Sequence, residues 1–120
     1  MHRLLLVEDN ELNRDMLSRR LHRAGFKTEL AQDGQEALEK IHLCNPDLVL
    51  LDMNLPVLDG WSVCQAIRAD KAVAKTPVIA LTAHAMAEDR DRALDAGCDD
   101  YATKPIDFPA LLEKIRALLP

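Results

Sequence analysis

The chain has 120 residues, of which 48% are hydrophobic, so it is long enough for one globular domain with a single core. Its 15 basic and 20 acidic residues give a formal net charge of -5, which argues against direct binding to nucleic acid, because such domains usually carry a basic patch. No apolar run reaches the roughly 18 residues of a membrane span, and no signal peptide is apparent, so we expect one domain over residues 1–120 in a cytoplasmic protein.

The first predicted strand is the apolar run Arg3–Val7, and it ends in two adjacent acids, Glu8 and Asp9. Asn10 can cap the helix that follows, and Gly25 ends that helix. Apolar residues recur along the helix with a helical period, which predicts a face that packs on a core. They are Leu12, Met16, Leu17, Leu21 and Ala24.

The second and third predicted strands differ in pattern. Phe26–Ala31 alternates apolar and polar residues, which predicts a half-exposed strand at a sheet edge. A capping box at Asp33 and Glu36 then opens a second helix. Leu48–Asp52 is four apolar residues and a carboxylate, and a run apolar on both faces is typical of a central strand in a parallel sheet. Asp52 therefore ends a core strand, where open α/β folds place their ligands, although a single acid there is more often a helix cap.

The last two predicted strands also end in polar residues. A fourth strand ends in Thr82, and a short polar strand, Asp99–Thr103, ends in Lys104 and Pro105. The helix between them, over about residues 86–96, has a thin apolar face and is expected to be loosely held. A third helix follows Gly60 and precedes the fourth strand. A fifth helix follows Asp107, after the fifth strand, and completes the pattern.

Five strands that alternate with five helices predict an α/β fold of right-handed βαβ units. We expect a doubly wound, flavodoxin-like (βα)5 sandwich with a parallel five-stranded sheet in the order 2-1-3-4-5. In that order the first and third strands are neighbours and the chain reverses between them. Glu8, Asp9 and Asp52 are therefore expected to meet at the switch point.

Three crowded carboxylates repel one another unless a hard divalent cation lies among them. Mg²⁺ needs few protein oxygens because it keeps several waters, so the cluster predicts magnesium, whereas calcium would need more ligands. Lys104 and Thr82 reach the same edge, where a cation and a hydroxyl can hold the oxygens of a phosphoryl group. Asp52 can then be the nucleophile. The alternative is an acidic surface patch with helix-cap acids.

The chain resembles the receiver domain of two-component response regulators, and in particular the single-domain chemotaxis regulator. The resemblance covers all 120 residues and rests on four segments and Gly60. The segments are Val7-Glu8-Asp9-Asn10, Leu50-Leu51-Asp52-Met53-Asn54-Leu55-Pro56, Ala80-Leu81-Thr82-Ala83 and Tyr101-Ala102-Thr103-Lys104-Pro105. It implies a phosphorylation-dependent switch of a two-component or phosphorelay pathway, which is not an enzyme but assists its own phosphorylation and dephosphorylation.

The resemblance implies that Asp52 accepts a phosphoryl group from a partner phosphohistidine in the presence of Mg²⁺. Asp9 and Asp52 would ligate magnesium directly, Asn54 through its backbone carbonyl and Glu8 through water. Glu8 departs from the family, in which Asp is commoner at this position, and its side chain has a longer reach.

The resemblance also implies a switch. Lys104 would pair with the phosphoryl oxygens, Thr82 would move towards them, and Tyr101 would turn inward. The peptide bond between Lys104 and Pro105 would be cis. The weakly packed fourth helix would then shift, and a partner would bind the face made by the fourth helix, fifth strand and fifth helix.

Asn54 and His84 are further candidates, as modulators of the water that attacks the phosphoryl group. They lie two positions after Asp52 and Thr82. A surface histidine without a role is the alternative for His84.

The implied partners are a sensor histidine kinase or a histidine phosphotransfer protein as donor, and an unidentified downstream protein. Neither nucleic acid nor a membrane is expected as a direct partner. Met1 immediately before the first strand favours a stand-alone regulator over a module of a hybrid kinase or larger regulator.

Two other classes of protein remain as alternatives. A phosphatase of the haloacid dehalogenase type also has a nucleophilic Asp at a strand end, but needs a second Asp where this chain has Asn54. A flavodoxin-like cofactor module would need a phosphate cradle where Glu8 and Asp9 stand.

The three cysteines, Cys44, Cys64 and Cys98, are odd in number and form no C-x-x-C pair. They are expected to be free and mostly buried thiols in a reducing compartment. His42 and Cys44 lack the further ligands that a zinc site needs.

Overall fold

Five strands alternate with five helices in the computed structural model, which describes residues 2–83 and 87–119. The strands are β1 (Arg3–Val7), β2 (Lys27–Ala31), β3 (Leu48–Asp52), β4 (Val78–Thr82) and β5 (Asp100–Thr103). The helices are α1 (Glu11–Arg23), α2 (Gly34–Cys44), α3 (Gly60–Ala69), α4 (Ala87–Asp95) and α5 (Phe108–Leu118). Within these ranges no helix has both the length and the apolar character needed to cross a bilayer.

All four strand pairings are parallel, and the sheet has the order β2-β1-β3-β4-β5, which confirms the predicted topology. The register places Val7 opposite Leu51, and Asp52 opposite Leu81. The carboxyl ends of β1, β3 and β4 therefore lie side by side. This edge of the sheet carries the polar residues that the sequence analysis selected.

The core has two apolar layers, one on each face of the sheet. Alternate residues of each central strand supply the two layers, so that Val49 and Leu51 belong to one and Leu48 and Leu50 to the other. Helices α2, α3 and α4 cover the first layer, and α1 and α5 cover the second. Every residue of β3 is buried, as predicted for a central strand.

Side-chain caps fix where four of the helices begin; Asn10, Asp33 and Asp107 are at predicted helix starts, whereas the Asp59 cap was not predicted. In each case the cap oxygen accepts a backbone N–H three residues later, which satisfies a donor that the first helical turn leaves open. The pairs are Asn10 with Asn13, Asp33 with Glu36, Asp59 with Ser62, and Asp107 with Ala110.

The predicted core face of α1 is wrong at two positions. Leu12 is 74% exposed and Met16 is 54% exposed, whereas Leu21 is buried and Leu17 is half-buried against the core. At about 100° per residue, Leu12 and Met16 lie on a different side of α1 from Leu17 and Leu21, so only the second pair packs on the core. The apolar residues of α1 therefore form two stripes, which the prediction combined into one core face.

Helix α4 is thinly anchored, as predicted, over residues 90–95, whose side chains the structure describes. Of these, only Ala93 is buried, and Leu94 is 40% exposed. Arg92 adds a polar contact, because its guanidinium carbon lies 4.4 Å from the ring centroid of Trp61 on α3. Met86, which the prediction also assigned to this helix, lies outside the described residues.

Gly60 lets the start of α3 approach the end of β3. A Cβ atom at this position would lie 2.6 Å from the carbonyl oxygen of Asp52 and 2.6 Å from the Cα of Met53. Both contacts are with backbone, which cannot turn aside as a side chain could. The Asp52 peptide is therefore held in place by a helix that only glycine can start here.

We expect Gly60→Ala to lower the free energy of unfolding by about 3 kcal/mol or more, because the new methyl group overpacks against the backbone of β3. Gly25→Ala is the matched control: Gly25 has a φ of +97° but nothing within 4 Å of an added Cβ, so only backbone strain of about 1 to 2 kcal/mol applies. Urea unfolding measures both. A Gly60 variant no less stable than the Gly25 variant would contradict the packing argument.

Candidate functional site

Three acids meet at the switch point of the sheet. Glu8 and Asp9 follow β1, and Asp52 is the last residue of β3. One carboxylate oxygen of each lies within 4.8 Å of those of the other two. Glu8 and Asp52 are each only 3% exposed, whereas Asp9 is exposed to solvent. The predicted acid cluster is therefore present, with two members in the interior and one at its mouth.

Lys104 bridges the two buried acids. Its Nζ atom lies 3.1 Å from Glu8 Oε2 and 3.1 Å from Asp52 Oδ2. Both carboxylates are almost fully buried, so this single ammonium group is their compensating charge in the part of the chain that the structure describes. The residue that follows β5 is thus tied to the residues that end β1 and β3.

The pKa values of this cluster report a shortage of positive charge. Burial, together with the hydrogen bond and charge of Asp52, raises the pKa of Glu8 to about 7 against the opposing effect of Lys104. For Lys104, burial lowers the pKa, but hydrogen bonds to the two carboxylates outweigh it and leave the pKa above its usual value. The site therefore favours binding a further cation or a proton.

Thr82 and Lys104 are joined through the backbone. Thr82 ends β4 and is buried, and its carbonyl oxygen accepts a hydrogen bond of 2.7 Å from the Lys104 amide. The register of β4 and β5 places Thr82 opposite Thr103. The peptide between Lys104 and Pro105 is cis. The predicted hydroxyl and ammonium residues thus lie at adjacent strand ends.

Tyr101 lies where α4, β5 and α5 meet, and we call this surface the α4–β5–α5 face, defined by Arg90, Tyr101 and Lys114. The half-buried Tyr101 ring has the Arg90 guanidinium carbon 5.6 Å from its centroid and Lys114 Nζ at 5.1 Å. Lys114 also pairs with Asp100 at 3.2 Å. The aromatic ring is held by cations of both neighbouring helices.

Asn54 lies beside the acid cluster, as its position in the sequence predicts. Its backbone amide donates a 3.0 Å hydrogen bond to Asp52 Oδ1, and the residue is exposed. Of the two Asp52 oxygens, one therefore accepts a backbone amide and the other accepts the Lys104 ammonium. His84, the second predicted modulator, lies outside the described residues.

Two residues that were not predicted from the sequence contact Glu8 and orient it. Asn13 Nδ2 donates to Glu8 Oε1 at 3.3 Å, and Arg14 Nη1 donates to the Glu8 carbonyl at 2.9 Å. Side chains in the first turn of a helix point back towards its N-terminus, so residues there reach the strand end that precedes the helix. This spacing after a strand-end acid is the signal that could have identified them.

An open groove of about 550 Å³ adjoins Glu8 and Lys104. It runs between the first half of α1 and the chain after β5. Its other lining residues are Asn13, Met16, Leu17, Arg20, Leu81, Pro105 and Ile106. The exposed Met16 thus lies beside the acid cluster.

The donor set suits Mg²⁺. Carboxylate oxygens are the ligands this ion prefers, and it needs only one or two of them because it keeps several waters. The site offers two buried carboxylates and one exposed carboxylate, together with a lysine opposite them. Such an arrangement can hold a metal and a phosphoryl group together.

Comparisons with known proteins agree on one family. The family model described as the response regulator receiver domain matches residues 4–116. The DNA-binding dual master transcriptional regulator RpaA of Synechocystis is 40% identical over 119 residues, which cover 99% of this chain and 49% of that protein. The chain spans about half the length of the curated relatives it matches.

Solved structures give the same result. The chemotaxis response regulator CheY4 of Vibrio cholerae is 31% identical, with a TM-score of 0.92 and coverage of 99% of both chains. The receiver domain of a sensor histidine kinase from Pseudomonas aeruginosa is 37% identical, with a TM-score of 0.90, and covers 98% of this chain and 96% of that one. That structure has a magnesium ion coordinated in its active-site cleft.

Without added metal, Glu8 should stabilise the protein at acidic pH relative to neutral pH. Because its pKa is raised from 4.5 to about 7, this contribution is complete below pH 4.5, falls progressively as the pH rises towards 7, and is absent above that. One pKa unit is worth about 1.4 kcal/mol, so the contribution is on the order of 3 kcal/mol.

The comparison with Glu8→Gln isolates this effect, since glutamine does not titrate. In EDTA, we expect the unfolding free energy of the wild type, relative to that of the variant, to fall as the pH rises from 4.5 to about 7 and to change little above that. Urea unfolding at a series of pH values measures the difference. A difference that stays constant with pH would show that Glu8 titrates normally.

Proposed function

The chain belongs to the response regulator receiver domain family, a family of signalling phosphoacceptor domains, and on this premise we propose that it is a phosphorylation-dependent switch with Asp52 as its phosphoacceptor. We take the receiver domain to extend over residues 1–120. The observation that carries the proposal is the position of Asp52, buried between Lys104 and the other acids at the switch point.

The proposed reaction is phosphoryl transfer from a phosphohistidine of a partner protein. An oxygen of Asp52 attacks the phosphorus atom, a P–O bond forms, and the P–N bond breaks with its electron pair left on the imidazole nitrogen. Lys104 can turn from the carboxylate to the phosphoryl oxygens without leaving the site. Thr82, at the neighbouring strand end, supplies a hydroxyl that donates to them.

Asp9, Asp52, Glu8 through water, and the backbone carbonyl of Asn54 would hold Mg²⁺. When bound, this ion supplies positive charge that offsets the charge of the phosphoryl oxygens. The raised pKa of Glu8 supports this assignment, because the cluster binds a proton where a cation would otherwise lie. The magnesium-bound receiver domain from Pseudomonas aeruginosa also supports it.

The amide at position 54 favours a role as a phosphoacceptor over a role as a phosphatase. A phosphatase of the haloacid dehalogenase type needs a general acid two residues after its nucleophile, and an amide cannot supply a proton in this way. Asn54 and His84 are proposed to act on the lifetime of the phosphorylated form, where they would orient or exclude the attacking water.

The donor is proposed to be a sensor histidine kinase or a histidine phosphotransfer protein. It must bring a phosphohistidine within bonding distance of Asp52, and the groove beside Lys104 leaves room for such an approach. The exposed Leu12 and Met16 would give the donor an apolar surface on the same side.

The readout is proposed to occur at the α4–β5–α5 face. Phosphorylation adds charge and acceptor oxygens, and movement of Thr82 and Lys104 towards them displaces the strand ends that precede α4 and α5. Tyr101 would then turn inward. Helix α4 is thinly packed and so can shift at small cost, and a downstream protein would bind the altered face.

Asp52→Asn should abolish phosphorylation. We expect the intact mass of the wild type to increase by one phosphoryl group after incubation with phosphoramidate and Mg²⁺, and not in EDTA. Asp59→Asn is the matched control, because this helix cap lies outside the acid cluster and asparagine also caps well. Equal phosphorylation of the Asp52 variant, or of the wild type in EDTA, would contradict the proposal.

Phosphorylation should change amide hydrogen exchange in α4 more than in the central strands. The reason is that α4 has little buried apolar surface to hold it in one position. Exchange followed by mass spectrometry measures this, with Asp52→Asn treated in the same way as the control. Unchanged exchange across α4 in a fully phosphorylated wild type would place the response elsewhere.

A further inference from the structure

Two buried cysteines that belong to neither the acid cluster nor the groove lie in direct contact. Cys64 is on α3, and Cys98 is in the turn between α4 and β5. Their sulfur atoms are 3.3 Å apart, and the Cys98 thiol donates to Cys64 Sγ. Cys44, the third cysteine, instead donates to the Lys40 carbonyl on its own helix. The sequence spacing gave no sign of this pair.

Arg68 fixes the position of the turn that carries Cys98 relative to the helix that carries Cys64. It lies one helical turn after Cys64, and its Nε atom donates to the Gly97 carbonyl at 2.8 Å. Its Nη2 atom donates to Asp99 Oδ2 at 2.7 Å. Both neighbours of Cys98 are thus tied to the helix that carries Cys64. The contact between the thiols is set by a fixed framework and does not depend on side-chain packing alone.

The two thiols differ in acidity. The hydrogen bond from Cys98 lowers the pKa of Cys64, and the nearby Arg68 charge adds to this effect against burial. The same hydrogen bond and burial raise the pKa of Cys98. Cys64 is therefore the more acidic of the two thiols, and the thiolate is the reactive form of cysteine.

We propose that Cys64 and Cys98 form an oxidation-sensitive dithiol, which hydrogen peroxide converts into an intramolecular disulfide between α3 and the turn before β5. This modification is separate from phosphorylation of Asp52 and goes beyond the proposed function. A disulfide needs the sulfur atoms to close from 3.3 Å to about 2 Å. Rotation of the two side chains brings them together.

The reaction balances with peroxide as a two-electron oxidant. The Cys64 thiolate attacks one peroxide oxygen, the O–O bond breaks, and the released hydroxide takes the Cys98 thiol proton to form water. The Cys98 thiolate then attacks the sulfur of the Cys64 sulfenic acid, an S–S bond forms, and the S–O bond breaks. The departing hydroxide takes the proton that Cys64 had released to solvent. Two thiols and one peroxide thus give one disulfide and two waters.

Cys64 is fully buried and Cys98 is 5% exposed, so peroxide needs a local opening to reach the pair. We expect this opening on the α4 side, because α4 precedes Cys98 and Ala93 is its one buried side chain at positions 90–95. Local opening of such an element needs little free energy, and a small neutral oxidant can enter during it. Once formed, the disulfide would restrain the end of α4 against α3. Oxidation would thereby act on the α4–β5–α5 face without involving the phosphoacceptor.

The test is oxidation of the full chain by hydrogen peroxide, followed by intact mass, thiol titration after denaturation, and peptide mapping. We expect the wild type to lose the mass of two hydrogen atoms and to keep one of its three free thiols. The mapped cross-link should join Cys64 to Cys98, and a reductant should reverse it. Hydrogen exchange in α4 should become slower in the oxidised protein.

Matched variants separate the pair from the third cysteine. Cys44→Ser should form the same disulfide, whereas Cys98→Ser should not. The cross-link mapped in the wild type tests the proposal by itself, even if the Cys98→Ser variant is unstable. A cross-link through Cys44, addition of oxygen atoms without loss of hydrogen, or three thiols remaining after peroxide would overturn the proposal. A disulfide that leaves exchange in α4 unchanged would overturn its effect on the α4–β5–α5 face.

Discussion

The site depends on one ammonium group held between two carboxylates that the fold has removed from water. Glu8 and Asp52 end neighbouring central strands, and Lys104 follows the edge strand β5. Removing one partner of a buried ion pair typically costs about 3 to 5 kcal/mol, because the remaining charge is left without compensation. The edge strand is therefore tied to the centre of the sheet by charge as well as by its backbone pairing. Any group that competes for Lys104 acts on β5 at the same time.

Much of this arrangement could be predicted from the sequence, because parallel strands share a carboxyl edge. Once the strands were assigned, the order of the sheet placed Glu8, Asp9 and Asp52 together, and it brought Thr82 and Lys104 to the same edge. Contacts that depend on side-chain direction could not be predicted in this way. The Lys104 bridge to Glu8 joins residues 96 positions apart, and neither period nor composition encodes which of several acids a lysine will reach.

The same limit explains the other differences. The apolar residues of α1 form two stripes, because Leu12 and Met16 lie about 100° or more around the helix from Leu17 and Leu21, and which stripe packs on the core depends on how the helix is placed. Cys64 and Cys98 come into contact where Arg68 ties α3 to the turn before β5 and both side chains pack in one core layer. These are properties of how elements are placed in space. Patterns within an element carry little information about them.

The backbone hydrogen bond between the Lys104 amide and the Thr82 carbonyl has a consequence for cooperativity. In the proposed response both residues move towards one phosphoryl group, and this bond joins the two movements. A state in which only one residue had moved would leave a backbone donor or acceptor unpaired, at a cost of about 1 to 3 kcal/mol. Such intermediates would be about five-fold to more than one-hundred-fold less populated than the paired states. The switch would then pass between two main states. Phosphorylation of only part of the molecules would change the ratio of these two states rather than their structures.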